Sequence, residues 1–403
     1  MPQIRIGAEE HDLGDVQEHP GRYSRVLEVA KIRPGYAECG CTAGRPRPRV
    51  VIRRHRDIFL LARWPDEAHL HDKACPFHRK QGQSGKAGTS LDAFRQEAGI
   101  HDIRLDLSMV LSSKSPARPK SEASSPRASR AQRRSAGLLA FLEYAWERAG
   151  LNVWPGSGRR NWSACWSQLT TELDGCRING NADETVLHVM QPWHPDRKDQ
   201  ILADLAAFQA RLAPTPTTTP RGIVIGEIDS IGPSKFGYQL ILRQSRNVYY
   251  MSKSLYAKLC ESYSPAVSAI GQPERRAIAV LAVELTASGN RSVVDMAALL
   301  ANRDFLPCDS SFEVEMADHL ISHGRAFEKP VRHVDRKAVH PDFVLNDCAS
   351  PVVIEVLGMS GNAAYDARQA EKRAYYRREG IACIEWTPSV QPLASLVLPP
   401  TAQ

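Results

Sequence analysis

Toward the C-terminal end, apolar residues fall in short runs separated by turn formers. Phe343-Val344-Leu345 follows Pro341-Asp342 and leads into the polar turn Asn346-Asp347-Cys348-Ala349-Ser350-Pro351. Val352-Val353-Ile354-Glu355-Val356-Leu357 comes next and stops at Gly358. Short β-branched runs bounded in this way predict a hairpin. The period then lengthens. Ala363–Glu379 reads as a helix ended by Gly380, with Tyr365, Arg368, Lys372 and Tyr375 on one face. Ile381–Trp386 returns as a strand. Upstream, Phe312, Met316 and Leu320 recur at helical spacing across Asp309–Gly324, and Ala326–Val334 reads as a strand. The order is helix, three strands, helix, strand.

Earlier patterns are shorter. Gly222–Asp229, Phe236–Leu242 and Asn247–Tyr250 alternate well enough to be strands, with Gly232-Pro233 as a turn. Ser252–Tyr263 reads as a helix, while Arg276–Leu285 fits a strand or a buried helix equally. Gly137–Gly150, Trp162–Asp174 and Pro195–Leu212 read as helices around a core holding several of Trp154, Trp162, Trp166 and Trp193. Base stacking by these aromatics beside Arg159, Arg160 and Arg197 is the weaker reading. Ser112–Ser135 has no large apolar residue and reads as a disordered linker. Pro214–Pro220 reads as a stiff one. These breaks divide the chain into a hairpin-containing region (1–111), a basic linker (112–135), a helical part (136–212), a short linker (213–221), a mixed region (222–308) and a C-terminal α/β unit (309–403).

A length of 403 residues is enough for two or three cores. The sequence shows no charged-then-apolar leader and no run long enough to span a bilayer, so a soluble, cytoplasmic protein with no membrane partner is expected. Nine scattered cysteines fit reduced thiols and a metal site better than a disulfide framework. Net charge is +7, but Ser112–Ser135 holds seven basic residues against Glu122 alone, leaving the remainder near neutral.

Glu355 carries the sharpest chemical signal. Its strand is apolar on both faces, so it is expected to be buried on both sides. A lone carboxylate there needs a partner or a shifted pKa. Asp342, at the edge of the neighbouring strand, can approach it, and two such carboxylates form a hard-oxygen site for Mg²⁺ or Mn²⁺. A simpler role exists for Glu313, because Ser310-x-x-Glu313 is also a capping box. Glu227 and Asp229 share a strand face, for which a solvated surface suffices.

The order of elements, with Glu313 on the first helix and Pro341-Asp342 and Glu355 on the hairpin, resembles the PD-(D/E)XK nuclease superfamily over the last quarter of the chain. That resemblance implies that Asp342 and Glu355 hold one or two divalent ions, with Glu313 assisting through water. The superfamily places a Lys two residues after the second acid to orient the attacking water. Leu357 stands there instead. Some members carry the Lys on the following helix, which nominates Lys372.

Near the N-terminus, Cys39-Gly40-Cys41 precedes the apolar runs Arg49–Arg53 and Asp57–Arg63, joined by Arg54-His55-Arg56. His69-Leu70-His71-Asp72-Lys73-Ala74-Cys75-Pro76-Phe77-His78 follows. A hairpin flanked by a Cys pair and a Cys/His cluster is the plan of small structural zinc sites. Cys39, Cys41 and Cys75 are the ligand candidates, and spacing leaves His71 and His78 open as the fourth. This region, with Leu61-Ala62-Arg63-Trp64-Pro65, Leu138–Trp154 and Ile223–Gly237, resembles an uncharacterised bacterial family found near plasmid and integrative-element genes. The resemblance favours His71 as the fourth ligand.

The expectation is an α+β multidomain protein with an N-terminal zinc-binding β-hairpin region, a helical middle part and a C-terminal α/β restriction-endonuclease-like core. Its expected activity is Mg²⁺- or Mn²⁺-dependent hydrolysis of DNA, by Asp342, Glu355, Lys372 and Glu313. The alternative is a non-enzymatic accessory protein of a mobile element that binds nucleic acid or protein through a degenerate nuclease fold.

Overall fold

Three β-rich assemblies carry the candidate residues. The computed structural model describes residues 2–44, 46–55, 58–64, 67–73, 75–78, 93–97, 100–112, 135–331, 339–358 and 363–402. Among them are four sheets and ten α-helices, a mixed α+β architecture. Apart from its two end residues, the basic segment Ser112–Ser135 lies outside the described residues, as does Arg56 of the expected hairpin turn.

The N-terminal sheet runs Glu9–Asp12, Gln3–Ile6, Tyr36–Cys39, Arg49–His55, Ile58–Arg63, with every pair antiparallel. Its last two strands form the expected hairpin. The helix Ser24–Ile32 buries Leu27 and Ala30, which join Ile4, Ile6, Val50, Ile52 and Leu61 in a small core of their own.

The middle part is less helical than its spacing predicts. Helices Leu138–Arg148, Trp162–Leu173 and Lys198–Ala210 form as expected, but short strands at Val153–Pro155, Arg177–Ile178, Asn181–Ala182 and Leu187–Val189 lie between them. Trp154, Trp162 and Trp166 are buried, whereas Trp193 is exposed. Trp162 donates its indole N–H to the Met190 carbonyl within this part, and Trp146 donates its own to the Phe305 carbonyl, which ties this part to the next.

Thr218–Ser234, Gly237–Leu242, Val248–Met251, Arg291–Asn302 and Arg275–Leu285, in that spatial order, close into a five-stranded barrel, each pairing with the next around a ring. The first strand is long enough to serve two neighbours. Its residues Arg221 to Glu227 pair with Arg275–Leu285, and from Ile228 onward, across an irregularity at Asp229, it pairs with Gly237–Leu242. Two readings are corrected here and one open alternative is decided. Gly232-Pro233 lies within that strand, and the turn falls at Lys235-Phe236. Thr218–Pro220, read as stiff linker, pairs with Val110–Ser112. Arg276–Leu285, which fitted a strand or a buried helix equally, is a strand, and its 277–283 stretch is apolar because it is covered on both faces.

The last sheet runs Ala382–Trp386, Val352–Val356, Phe343–Leu345, Ala326–Glu328, Val153–Pro155. Val352–Val356 pairs in parallel with Ala382–Trp386, so the helix Ala363–Arg378 makes the crossover that a parallel pair requires. The other pairs are antiparallel. The helix Ser311–Ser322 precedes it, giving the order read from the sequence. Val153–Pro155 from the middle part adds the fifth strand, which spacing did not foretell. Of the strand expected over Ala326–Val334, residues 326–328 are formed and 332–334 lie outside the described residues. This sheet, the barrel and the middle helices share one continuous apolar core.

Candidate functional site

Cys39 ends a strand, and the chain remains extended through Gly40, so residues two apart present the Cys39 and Cys41 sulfurs to one side. Gly40 permits the fit: its N–H donates to the Gln3 carbonyl at 2.7 Å, and a Cβ there would lie 3.0 Å from that oxygen. After the hairpin, two tight turns bring His71 and Cys75 back against the pair. The four residues place one ligand atom each within 4.8 Å of all the others. Cys39 Sγ lies 3.7 Å from Cys75 Sγ. His71 Nδ1 lies 3.4 Å from Cys41 Sγ and 3.6 Å from Cys75 Sγ.

A tetrahedral zinc with bonds of about 2.3 Å to sulfur and 2.0–2.1 Å to nitrogen has ligand–ligand edges of roughly 3.6–3.8 Å. The observed separations sit at or just inside those edges. This Cys₃His group can hold a metal such as zinc. His71 is the fourth member, and His78 is outside the group.

The protonation pattern fits the same reading. The hydrogen bond with Cys41 pushes Cys39 up to about 12. Cys41 is held down by the thiols of Cys39 and Cys75. Burial, then Cys39, raises Cys75. Three thiols this close favour one thiolate between them, and a divalent cation reverses that preference. All nine cysteines of the chain are free thiols.

The second constellation lies on the last sheet. Phe343 pairs with Ile354, so one step beyond the ladder sets Asp342 opposite Glu355 on the same face. Both are buried, at 6 % and 1 % exposure. Asp342 accepts the Val356 N–H at 2.8 Å, which fixes its carboxylate beside the strand. Like charges set opposite one another repel, and the helix Ala363–Arg378 answers them. Lys372 Nζ donates to Glu355 Oε2 at 2.6 Å, and Tyr376, one turn on, donates its hydroxyl to Oε1. Burial and then Asp342 raise the Glu355 pKa, with Lys372 and Tyr376 opposing them.

The inward face of this helix differs in part from the expected one. It comprises Tyr365, Gln369, Lys372 and Tyr376, while Arg368 is exposed. Gln369 is buried, and its Oε1 has no partner among the described residues.

Glu313 sits at the start of its helix, bonded to the backbone there and paired with a buried lysine. Ser310 caps the helix by accepting the Glu313 N–H at 3.2 Å, and Glu313 Oε2 accepts the Asp309 N–H at 2.9 Å. The same oxygen lies 2.9 Å from Lys329 Nζ, which also reaches Asp309 at 3.0 Å. Burial raises Glu313 to about 7 in spite of Lys329. Burial also works against the Lys329 charge, but Asp309, Glu313 and Asp342 overcome it and hold the ammonium protonated.

Lys329 is the residue that sequence reasoning missed. The available signal was its place two residues after Phe327 on an apolar face. Glu227, by contrast, is not on a solvated surface: it is 3 % exposed and paired with Arg243 at 3.0 Å and Arg276 at 3.7 Å.

A family model described as protein of unknown function (DUF1173) matches residues 15–389. The chain belongs to the DUF1173 family. Both constellations of this DUF1173 chain fall within the matched span. No curated protein and no solved structure matches it. Among the described residues of the DUF1173 chain, no helix is long and apolar enough to cross a membrane.

Proposed function

We propose that this DUF1173 protein is a divalent-metal-dependent hydrolase of DNA phosphodiester bonds, stabilised by a structural zinc at Cys39, Cys41, His71 and Cys75. The observation that carries the activity is Asp342 opposite Glu355 on one sheet face, with Lys372 Nζ at 2.6 Å from Glu355. The helix, three-strand, helix, strand order around them supports the same reading.

Two buried carboxylates are the hard-oxygen donors that Mg²⁺ or Mn²⁺ takes, and Mg²⁺ keeps several waters when held by only one or two of them. Bound there, the ion would supply Lewis acidity and a water of lowered pKa. The chain does the rest. Asp342 is fixed by the Val356 N–H, and Glu355 is oriented by Tyr376. Lys372 offers a positive group toward a phosphate that two acids alone would repel. Glu313, held by Lys329, keeps a third carboxylate near Asp342.

A second reading rests on Leu357, which occupies the position where the resembled superfamily carries Lys, and on Glu355, whose two oxygens both accept hydrogen bonds. It is a binding module of the same shape without hydrolysis. Relaxation of supercoiled plasmid separates the two. Nicking that requires added Mg²⁺ or Mn²⁺ and disappears in Glu355→Gln supports the hydrolase. DNA binding with no metal-dependent nicking supports the module.

A further inference from the structure

The barrel strands, numbered one to five in chain order, pair in the closed order 1-2-3-5-4-1. Strands three and five, Val248–Met251 and Arg291–Asn302, are parallel, and the helix Lys253–Ser262 lies between strands three and four. This is the connectivity of an OB-fold barrel, in which the face of strands two and three and the loop joining strands one and two take up oligonucleotides or oligosaccharides. Fold alone assigns no ligand, so the face itself has to supply the chemistry.

Cross-strand register identifies that face. Ile231, Leu240 and Tyr249 form one row, and Leu240 and Tyr249 are buried inside the barrel. The neighbouring rows therefore point outward: Gly232 beside Gln239 beside Tyr250, and Ser230 beside Ile241 beside Val248. Tyr250 is 39 % exposed, and a Cβ at Gly232 would meet nothing within 4 Å, so this platform is uncovered. At its rim, in the loop between strands one and two, Phe236 is 84 % exposed with Lys235 Nζ 5.1 Å from its ring centre.

Charge points to the occupant. Residues 230–260 contain Lys235, Arg243, Arg246, Lys253 and Lys258 and no Asp or Glu. A net balance near zero outside the basic segment conceals this segregation. Arg243 is taken up by Glu227 and Asp229, and Lys258 by Asp295, which leaves Lys235, Arg246 and Lys253 as the cations of this segment with no ion pair among the described residues. Exposed aromatics beside such cations match a flexible polyanion that carries flat bases. A neutral sugar would need no such excess of charge.

We infer that this barrel face, with Phe236 and Tyr250 as stacking platforms and Lys235, Arg246 and Lys253 as phosphate contacts, binds single-stranded nucleic acid. The inference goes beyond the proposed hydrolysis and does not rest on it.

Fluorescence anisotropy of the full chain, in buffer without added divalent metal, tests it. The probes are labelled dT and U oligomers of about 12 nucleotides, a duplex of the same length, and a labelled neutral oligosaccharide. Tight binding of either single strand is expected, and the tighter one names the source. Phe236→Ala and Tyr250→Ala should each weaken it about 5- to 150-fold, with Tyr250→Trp retaining it. Arg246→Ala should flatten the salt dependence by about 0.7 in log–log slope. Unchanged melting curves check that these exposed substitutions leave the fold intact. Binding unchanged in the Phe236→Ala/Tyr250→Ala double variant overturns the inference, as does preference for the duplex or for the oligosaccharide.

Discussion

Lys329 sits almost wholly out of water, at 2 % exposure, between Asp309 and Glu313 and within 5.7 Å of the Phe343 ring centre. Removing one member of a buried ion pair leaves the other charged and unsolvated, at a cost of about 3–5 kcal/mol. Lys329→Met should therefore lower the urea midpoint sharply, and adding Glu313→Leu should recover much of the loss. A Lys329→Met midpoint equal to wild type would show the pair contributes little.

The zinc group is tested at the same scale. Elemental analysis should find about one Zn²⁺ per chain, lost in Cys39→Ser or Cys75→Ser with a lower melting temperature. A zinc-free protein whose melting is unaffected by chelator would contradict it. Glu355 was legible because a carboxylate in a strand apolar on both sides needs an explanation, and Lys372 because the resembled superfamily places a Lys on the following helix in some members. Lys329 was not, since nothing local in the expected strand Ala326–Val334 shows that Asp309 and Glu313 are brought to it.

Elements were legible where one period ran undisturbed. Phe343–Leu345, Val352–Val356 and Ala382–Trp386 of the last sheet, its two helices, and the N-terminal hairpin formed where their spacing predicts. Thr218–Pro220 was lost to composition: Pro and Thr read as linker, yet Thr is β-branched and this stretch finds a partner in Val110–Ser112. The barrel was hidden because its closure depends on one long strand serving two neighbours.

Between elements, the strand Ile100–Ile103 meets the helix Leu138–Arg148 through His101, whose Nδ1 lies 2.9 Å from the Tyr144 hydroxyl. Burial, then Arg148, lowers His101 from 6.5 to about 4. The unfolded chain takes up this proton first as pH falls. The contribution is therefore fully present above about pH 6.5 and is lost progressively down to about pH 4. Stability should slope by up to about 1.4 kcal/mol per pH unit in that window. His101→Gln should flatten it, and equal slopes in wild type and variant would contradict the assignment.

Across the whole molecule, the N-terminal sheet keeps its own small core, while middle helices, barrel and last sheet share another. The exchange of Val153–Pro155 into the last sheet ties the second group together, a long-range pairing that local periodicity does not encode. Charge follows a similar rule: the near-neutral total is legible in the sequence, and the pairing of Arg243 and Lys258 with acids of other strands, which singles out Lys235, Arg246 and Lys253, emerged only when the strands were placed. Both proposed activities share a polyanionic substrate class while drawing on separate surfaces.

The central claim is that Asp342 and Glu355 together hold a divalent cation. Electron paramagnetic resonance of free Mn²⁺, titrated with zinc-loaded protein, measures this without any substrate. The account predicts about one Mn²⁺ taken up per wild-type chain. That uptake should be abolished in Glu355→Gln and retained in Phe236→Ala, with all three proteins melting alike. Equal Mn²⁺ uptake by wild type and Glu355→Gln, or none by either, would contradict it.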